Sequence, residues 1–261
     1  MARISVLMGV YNCAPTLVEA LDSLYAQTYQ DFKIILCDDG SQDNTYEIAK
    51  EYAEKHDNIV LISNGENKGL NHTLNHCLEY ADTEYCARMD GDDISLPTRF
   101  EKEINFLDAH PEYAIVSCPM IYFDENGDFL YGKSKGEPTI NSYVKGNFFC
   151  HAPCMIRTEA YENVGGYSVS PKLLRVEDYH LWAKMYKAGY RGYNLSECLY
   201  KMRDNRDAIR RRNWKARKNE IYVKYIGAKM LNIPWYYMIY AFKPLIAYIL
   251  PSFIYRIIHR H

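Results

Sequence analysis

Residues 84–93 read Glu84-Tyr85-Cys86-Ala87-Arg88-Met89-Asp90-Gly91-Asp92-Asp93. A short apolar segment with the look of a strand runs directly into a loop that carries three carboxylates within four residues. Carboxylates this close repel one another, and a loop tolerates them best when a cation neutralises them. Hard oxygen donors suit Mg²⁺ or Mn²⁺, ions that take one or two carboxylates and fill their remaining positions with water and phosphate oxygens. The same residues also read as a solvated acidic turn bent at Gly91, so the segments around the motif decide between the two readings.

Working outward from it, strands and helices alternate. Ile4–Val10 is a continuous apolar run of strand length, and Pro15 to Tyr25 places Leu17, Ala20, Leu21 and Leu24 at helical spacing. Lys33–Cys37 reads as a second strand and Ser41–Lys55 as a helix with Ser41 at its N-cap. Asn58–Ile62 is a third strand, Lys68–Tyr80 a third helix, and Tyr85–Met89 the strand that enters the acidic loop. Helices between short buried strands imply parallel β-α-β units with right-handed crossovers. In such sheets ligands bind beyond the carboxyl ends of the strands, where the acidic loop and the turn Asp38-Asp39-Gly40-Ser41 both fall. The chain has no Gly-x-Gly-x-x-Gly and no P-loop pattern, which disfavours a dinucleotide dehydrogenase or a P-loop kinase.

With 261 residues, 48% of them hydrophobic and 25% charged, the chain can bury a sizeable core in one or two domains. Its eight cysteines lack paired spacing and mostly sit in apolar segments, as expected of reduced, buried thiols. The run Ile4–Val10 is short and ends in Tyr11-Asn12, which fits a buried strand better than a signal peptide. After residue 114 the pattern is less regular: short strand-like pieces at Ile115–Cys118, Met120–Phe123 and Cys154–Arg157, then a helical stretch from Tyr179 to Tyr186 behind the pair Glu177-Asp178. Trp214 to Lys229 is basic with a helical pattern.

Charge is unevenly placed. The net value is −2, yet residues 201–261 carry 14 Lys and Arg against three acids, leaving −13 on residues 1–200. A basic tail on an acidic body points to an anionic surface as partner, nucleic acid or membrane. The apolar content of the tail favours the membrane: Ile239 to Ile258 holds 15 apolar residues in 20, interrupted by Lys243, Pro244, Pro251 and Arg256. The longest unbroken run, Leu245–Leu250, is far below the roughly 20 residues that span a bilayer. Amphipathic pieces lying in an anionic membrane interface are expected, with packing on the body or a homodimer contact as alternatives.

Five motifs in order resemble those of family-2 glycosyltransferases with the GT-A fold, inverting enzymes that use nucleotide-diphosphate sugars. They are Val6-x-Met8-x-Val10-Tyr11-Asn12, Asp38-Asp39-Gly40-Ser41-x-Asp43, Asn67-Lys68-Gly69, Asp90-Gly91-Asp92-Asp93 and Glu177-Asp178. The resemblance spans residue 3 to about 205. It implies a Rossmann-like, mostly parallel mixed sheet flanked by helices. Residues 1–95 would form the nucleotide-sugar half of a catalytic domain and residues 96–205 the acceptor half, followed by a basic helical tail at 206–261.

The resemblance also assigns roles. The first-strand loop and the Asp-Asp-Gly-Ser turn would hold the nucleotide through Val10, Tyr11, Asn12 and Asp39, the last accepting from a uracil ring N–H. Read by themselves, Asp38 and Asp43 are helix caps. Asn67 and Lys68 would sit beside the nucleotide, although a plain β-to-α turn with a solvated lysine reads almost as well. Asp90 would contact ribose and Asp92 would ligate Mn²⁺ or Mg²⁺, which orients the diphosphate and neutralises charge on the departing nucleotide. Asp93 would support the loop or cap a helix near Pro97, and Arg88 would pair with the diphosphate or with the acidic loop. Asp178 matches the base that takes the acceptor proton, with Glu177 beside it; alone, the pair would read as a helix cap. Asn147, His151 and Gly166 fall near the acceptor by analogy, although a lone histidine is more often structural. One departure stands out. Many members carry a histidine in a Tyr-Arg-x-His pattern after the last core strand, whereas Tyr200-Lys201-Met202-Arg203 puts Arg203 there, making it a diphosphate contact instead of a metal ligand.

The expected activity is transfer of a sugar, with inversion, from a nucleotide-diphosphate donor, UDP foremost, to a glycan or lipid-linked acceptor in surface polysaccharide assembly. The expected place is the cytosolic face of the plasma membrane. Two rivals make different demands. A sugar-nucleotide pyrophosphorylase needs a Gly-rich, Arg-containing loop where Tyr11-Asn12-Cys13 stands. An inactive nucleotide- or membrane-binding scaffold would not need Asp90, Asp92 and Asp178 together.

Overall fold

A computed structural model of the protein describes residues 2–146, 148–204 and 214–242. The apolar runs of the first half form parallel strands: β1 (Ile4–Val10) pairs with β2 (Phe32–Asp38) and β4 (Tyr85–Asp90), and β2 pairs with β3 (Ile59–Ser63). Alternate residues of β1 face opposite cores, as a strand buried under helices on both sides requires. Ile4, Val6, Met8 and Val10 pack with Leu17, Leu21 and Leu24 of α1 (Ala14–Tyr25), while Leu7 packs with Ile35, Cys37 and Leu74 on the other face. Leu74 belongs to α3 (Leu70–Leu78).

The sheet grows to seven strands in the order β10-β6-β9-β4-β1-β2-β3, with β6 at Ile115–Ser117, β9 at Met155–Arg157 and β10 at Gly192–Asn194. β9 runs antiparallel to both β4 and β6, so the sheet is mixed though mostly parallel. A second, four-stranded sheet orders β5 (Ile94–Ser95), β11 (Tyr200–Arg203), β7 (Met120–Asp124) and β8 (Gly127–Tyr131). It carries the residues just after the acidic loop, so β5 and β11 brace that loop from outside.

Three helix starts differ from expectation, each for a local reason. α2 spans Thr45–Lys55 instead of beginning at Ser41, because the Asp38 carboxylate accepts the Gly40 and Ser41 amides in a tight turn. α3 begins at Leu70, since Gly69 sits at φ +89° and the Lys68 and Gly69 amides are committed to Asp39. α4 (Arg99–Ala109) starts beyond the reach of Asp93, whose carboxylate accepts the Arg203 amide at 2.8 Å.

The acceptor half adds α5 (Ser142–Lys145), α6 (Thr158–Val164) and α7 (Glu177–Lys187). The basic stretch after residue 213 forms α8 (Trp214–Met230), which packs on this half. Gly227 meets the Tyr143 ring so closely that an added Cβ would lie 2.1 Å from the hydroxyl oxygen. Asn219 donates to the carbonyls of Pro171 at 3.3 Å and Leu174 at 3.2 Å. Residues 214–242 therefore pack on the body, while the expected boundary at 205/206, with residues 206–213 and 243–261 of the expected tail, like Asn147, lies outside the described residues. Among the described residues, no helix is long and apolar enough to cross a membrane.

Candidate active site

Register brings the donor-side motifs together. Val10 lies opposite Asp38, and Gly9 opposite Asp90, so three strand ends open onto one edge of the sheet. Loop and turn are then stitched side to side. The Asn12 amide donates to the Ser41 hydroxyl at 3.1 Å, while the Asn12 side-chain carbonyl accepts from the Gln42 amide at 2.8 Å. Asn12 adopts φ 49°, a left-handed conformation that asparagine tolerates better than most residues. The Val10 carbonyl accepts the Asp39 amide, and Tyr11 stands exposed at the rim. Gly91 lets the acidic loop close on this wall: a Cβ there would meet Cys13 Sγ at 2.7 Å.

Asp39 is the buried centre of the donor side. Its Oδ1 accepts from Asn64 Nδ2 at 2.7 Å and the Lys68 amide at 2.9 Å, and its Oδ2 accepts the Gly69 amide at 2.9 Å. Asn67 and Lys68 thus border the site, but Lys68 supplies its backbone N–H while its side chain is exposed. Asn64 was not a candidate in the sequence. A polar residue directly after the carboxyl end of β3 was the available signal.

The choice left open for Arg88 falls to the acidic loop. Its buried guanidinium makes a two-pronged contact with Asp90, at 2.7 and 2.5 Å. Tyr200, also unforeseen, accepts the Asp90 amide at its hydroxyl and lies against Asp93. Asp93 is buried, and its carboxyl is pushed well up by burial and by the neighbouring Asp90 and Asp92. Asp92 is the outward-facing member. It is exposed, its carboxylate makes no hydrogen bond among the described residues, and desolvation followed by the charge of Asp90 raises its pKa. Arg203 lies over this loop: its Nε donates to the Asp92 carbonyl at 3.0 Å, it pairs with Glu19, and it stacks on Phe123 at 4.5 Å.

A divalent ion would find Asp92 available, and the chemistry of that donor suits Mg²⁺ or Mn²⁺. Among the described residues no three His, Cys, Asp or Glu side chains converge as a cage. An ion held here would complete its shell from water and the phosphates of a ligand.

Across the edge, α7 begins with Glu177 and Asp178. Burial is the main force on Asp178 and the Glu177 charge adds to it, so its pKa rises to about 7 against the pull of backbone amides and Arg88. Glu177 is buried and also raised, chiefly by desolvation. Arg175, just before them, is held at φ 65°, a strained conformation for a residue with a side chain. Arg88 is the common neighbour: hydrogen-bonded to Asp90, it is close enough to stabilise both acceptor-side carboxylates and to depress His151.

His151 is occupied structurally. Its Nε2 shares a hydrogen bond with the Tyr167 hydroxyl at 2.8 Å, its ring packs edge-on to Trp182, and burial holds it neutral. Gly166 belongs to a left-handed turn closing α6, where a Cβ would strike Asn75 Oδ1 at 2.6 Å. The Asn75 side chain binds both backbone groups of Tyr167, so Gly166 acts by aiming Tyr167.

Comparisons with known proteins bear on the family and the fold. The model of the family described as Glycosyl transferase family 2 matches residues 5–165. EpsE of Bacillus subtilis (strain 168) is 41% identical over 251 residues, covering 96% of this chain and 90% of its own length. The Escherichia coli UDP-Glc:alpha-D-GlcNAc-diphosphoundecaprenol beta-1,3-glucosyltransferase WfaP is 29% identical over 204 residues, 77% of this chain and 78% of its own. The crystal structure of S. aureus TarS 1-349 in complex with UDP-GlcNAc superposes with a TM-score of 0.73 at 19% identity, covering 93% of this chain and 73% of that one. That last likeness concerns the fold.

Proposed function

Since this chain belongs to glycosyltransferase family 2, we propose that it moves one sugar, with inversion, from a UDP-sugar to a glycan or lipid-linked acceptor in surface polysaccharide assembly. The observation that carries this reading is that Arg88, clamped to Asp90 of the acidic loop, is also within electrostatic reach of Asp178, so two unlike carboxylates, Asp92 and Asp178, serve one site. Asp92 is exposed on the acidic loop, and Asp178 is desolvated with a pKa near 7 at the head of α7.

Asp178 takes the proton of the acceptor hydroxyl as that oxygen attacks the anomeric carbon. A carboxylate with a pKa near the working pH is available in its basic form and still has driving force for the transfer. The bond from the anomeric carbon to the donor phosphate breaks on the opposite face, and the nucleotide diphosphate leaves with the electron pair. Arg203 lies beside Asp92 and offers positive charge to that leaving group. Asp90, clamped by Arg88, is fixed to accept from the ribose hydroxyls. Asp92 would hold Mn²⁺ or Mg²⁺, which when bound would supply positive charge against the departing diphosphate.

The uridine reading rests on Asp39. A carboxylate offers about four acceptor positions, and three are taken by Asn64, Lys68 and Gly69. The one left suits the single imide N–H of uracil. Guanine presents two adjacent donors and would ask for both oxygens. The relative WfaP names a UDP-sugar donor and a diphosphoundecaprenol acceptor, which supports the same classes here.

Calorimetry tests the donor site. UDP should bind wild type far more tightly with Mn²⁺ or Mg²⁺ than with chelator, and Asp92→Ala should erase that difference while remaining folded. Equal binding with and without metal in wild type would overturn the metal assignment, and tighter binding of GDP than UDP would overturn the uridine one.

A further inference from the structure

After α8 the chain turns through Pro234 into a 3-10 helical segment, Trp235–Phe242. Its inner side is anchored. Tyr237 and Met238 pack on the second core cluster, Ala241 is buried, and Lys145 of α5 lies 5.6 Å from the ring centres of both Tyr237 and Tyr240. Its outer side presents Trp235 at 84% exposure, Ile239 at 72% and Tyr236 at 58%, with Phe242 alongside. Isolated exposed apolar residues are ordinary, but a contiguous and firmly seated group of this size marks an interaction surface.

We propose that this segment docks the enzyme on a lipid bilayer bearing anionic headgroups. The composition fits that occupant. Tryptophan and tyrosine favour the headgroup level of a bilayer, where the ring is half apolar and its N–H or O–H stays wet. From Tyr225 to His261 the sequence holds four Lys and Arg and no acidic residue, so the segment sits within 37 residues whose only charges are positive. An anionic surface attracts such a stretch. A second copy would bring no negative charge to meet this stretch of sequence.

The position of the segment gives the docking a purpose. Tyr143, two residues before Lys145 in α5, brings its hydroxyl within 3.0 Å of the Tyr179 carbonyl and 3.2 Å of the Val223 carbonyl. Tyr179 directly follows Asp178. The docking segment, α8 and the helix carrying the base thus share one buried strut, on the acceptor half of the molecule. An acceptor whose lipid end lies in the bilayer would approach from that side. This last step rests on the role proposed for Asp178, whereas docking itself does not.

The test uses the full chain and vesicles of phosphatidylcholine with or without phosphatidylglycerol, followed by sedimentation. Wild type should bind the phosphatidylglycerol vesicles and bind pure phosphatidylcholine weakly. The triple variant Trp235→Ser, Ile239→Ser, Phe242→Ser should lose about tenfold or more in vesicle affinity while keeping its circular dichroism melt and UDP binding. Three results would overturn the proposal: wild type that ignores both vesicles, a triple variant that binds like wild type, so that residues 243–261 do the work, or a variant whose sole change is dissociation of a dimer. Failure of wild type to bind UDP would strike the donor reading and leave the vesicle result standing.

Discussion

Asp43 and Asp178 are both aspartates at the start of a helix, and the protein drives them in opposite directions. Asp43 lies on the donor half. The Thr45 hydroxyl and the amides of Thr45 and Ala14 converge on it, and its pKa falls below the ordinary value. Asp178, on the acceptor half, sits among buried aromatic side chains beside a second carboxyl, and its pKa climbs to about 7. Hydrogen bonding wins in the first case and desolvation in the second. On the donor half Asp38, Asp39 and Asp43 are spent on holding loops in register, each accepting backbone amides. On the acceptor half Glu177 and Asp178 are instead raised by desolvation, which keeps Asp178 poised to take a proton.

The contrast is broken most directly at the base. Asp178→Asn retains size and removes basicity, so transfer should fall by about 10²–10⁴, with UDP affinity within a few-fold of wild type. In wild type, kcat/KM should rise with pH through about 7 and level off, following the Asp178 carboxyl; the residual activity of the variant should lack that limb. Transfer by the variant close to wild type would remove Asp178 from the chemistry.

On the donor side the equivalent change acts on binding. Asp39→Asn turns an N–H₂ toward one of the amides that now donate to the carboxylate, leaving a buried donor unpaired. That should cost roughly 1–3 kcal/mol of donor affinity, read as a raised donor KM with kcat at saturation largely kept. A fall in kcat with unchanged KM would place Asp39 on the reacting side.

A third change asks whether α8 belongs to the acceptor half energetically. In Gly227→Ala the new methyl would collide with the Tyr143 ring, so thermal unfolding should show a loss of about 1–3 kcal/mol. An unchanged melt would mean that α8 rides on the body without bracing it.

The smallest expected effect is on stability against pH. Between the ordinary value of 3.8 and about 7, the folded Asp178 binds more protons than the unfolded one. Its contribution is therefore complete below pH 4 and is lost as pH rises through 7. Asp178→Asn should melt higher than wild type at pH 8, by about 1–2 kcal/mol once solvent screening is allowed for, and the gap should close by pH 4. A gap of the opposite sign would show that the carboxylate form is the better-held one.

How much of this was legible in advance follows the range of the forces involved. The alternating apolar runs specify β1 to β4 and their helices within a few residues, since burial of strands between two helical layers is a local pattern. The acidic loop and the Glu177-Asp178 pair also stand out, because several carboxylates in a row are costly without a purpose. Local pattern could not show that Arg88 turns to Asp90, that Asn64 and two backbone amides converge on Asp39, or that His151 is consumed by Tyr167. Most of those contacts join residues far apart in the chain, and their partners are chosen by the fold. The same holds for residues 214–242. Sequence alone determined their basic and apolar character, while the fit of Gly227 against Tyr143 decided that they are part of the body. Charge and periodicity are properties of a segment, whereas desolvation and hydrogen-bond partnership exist only once other segments have packed around it.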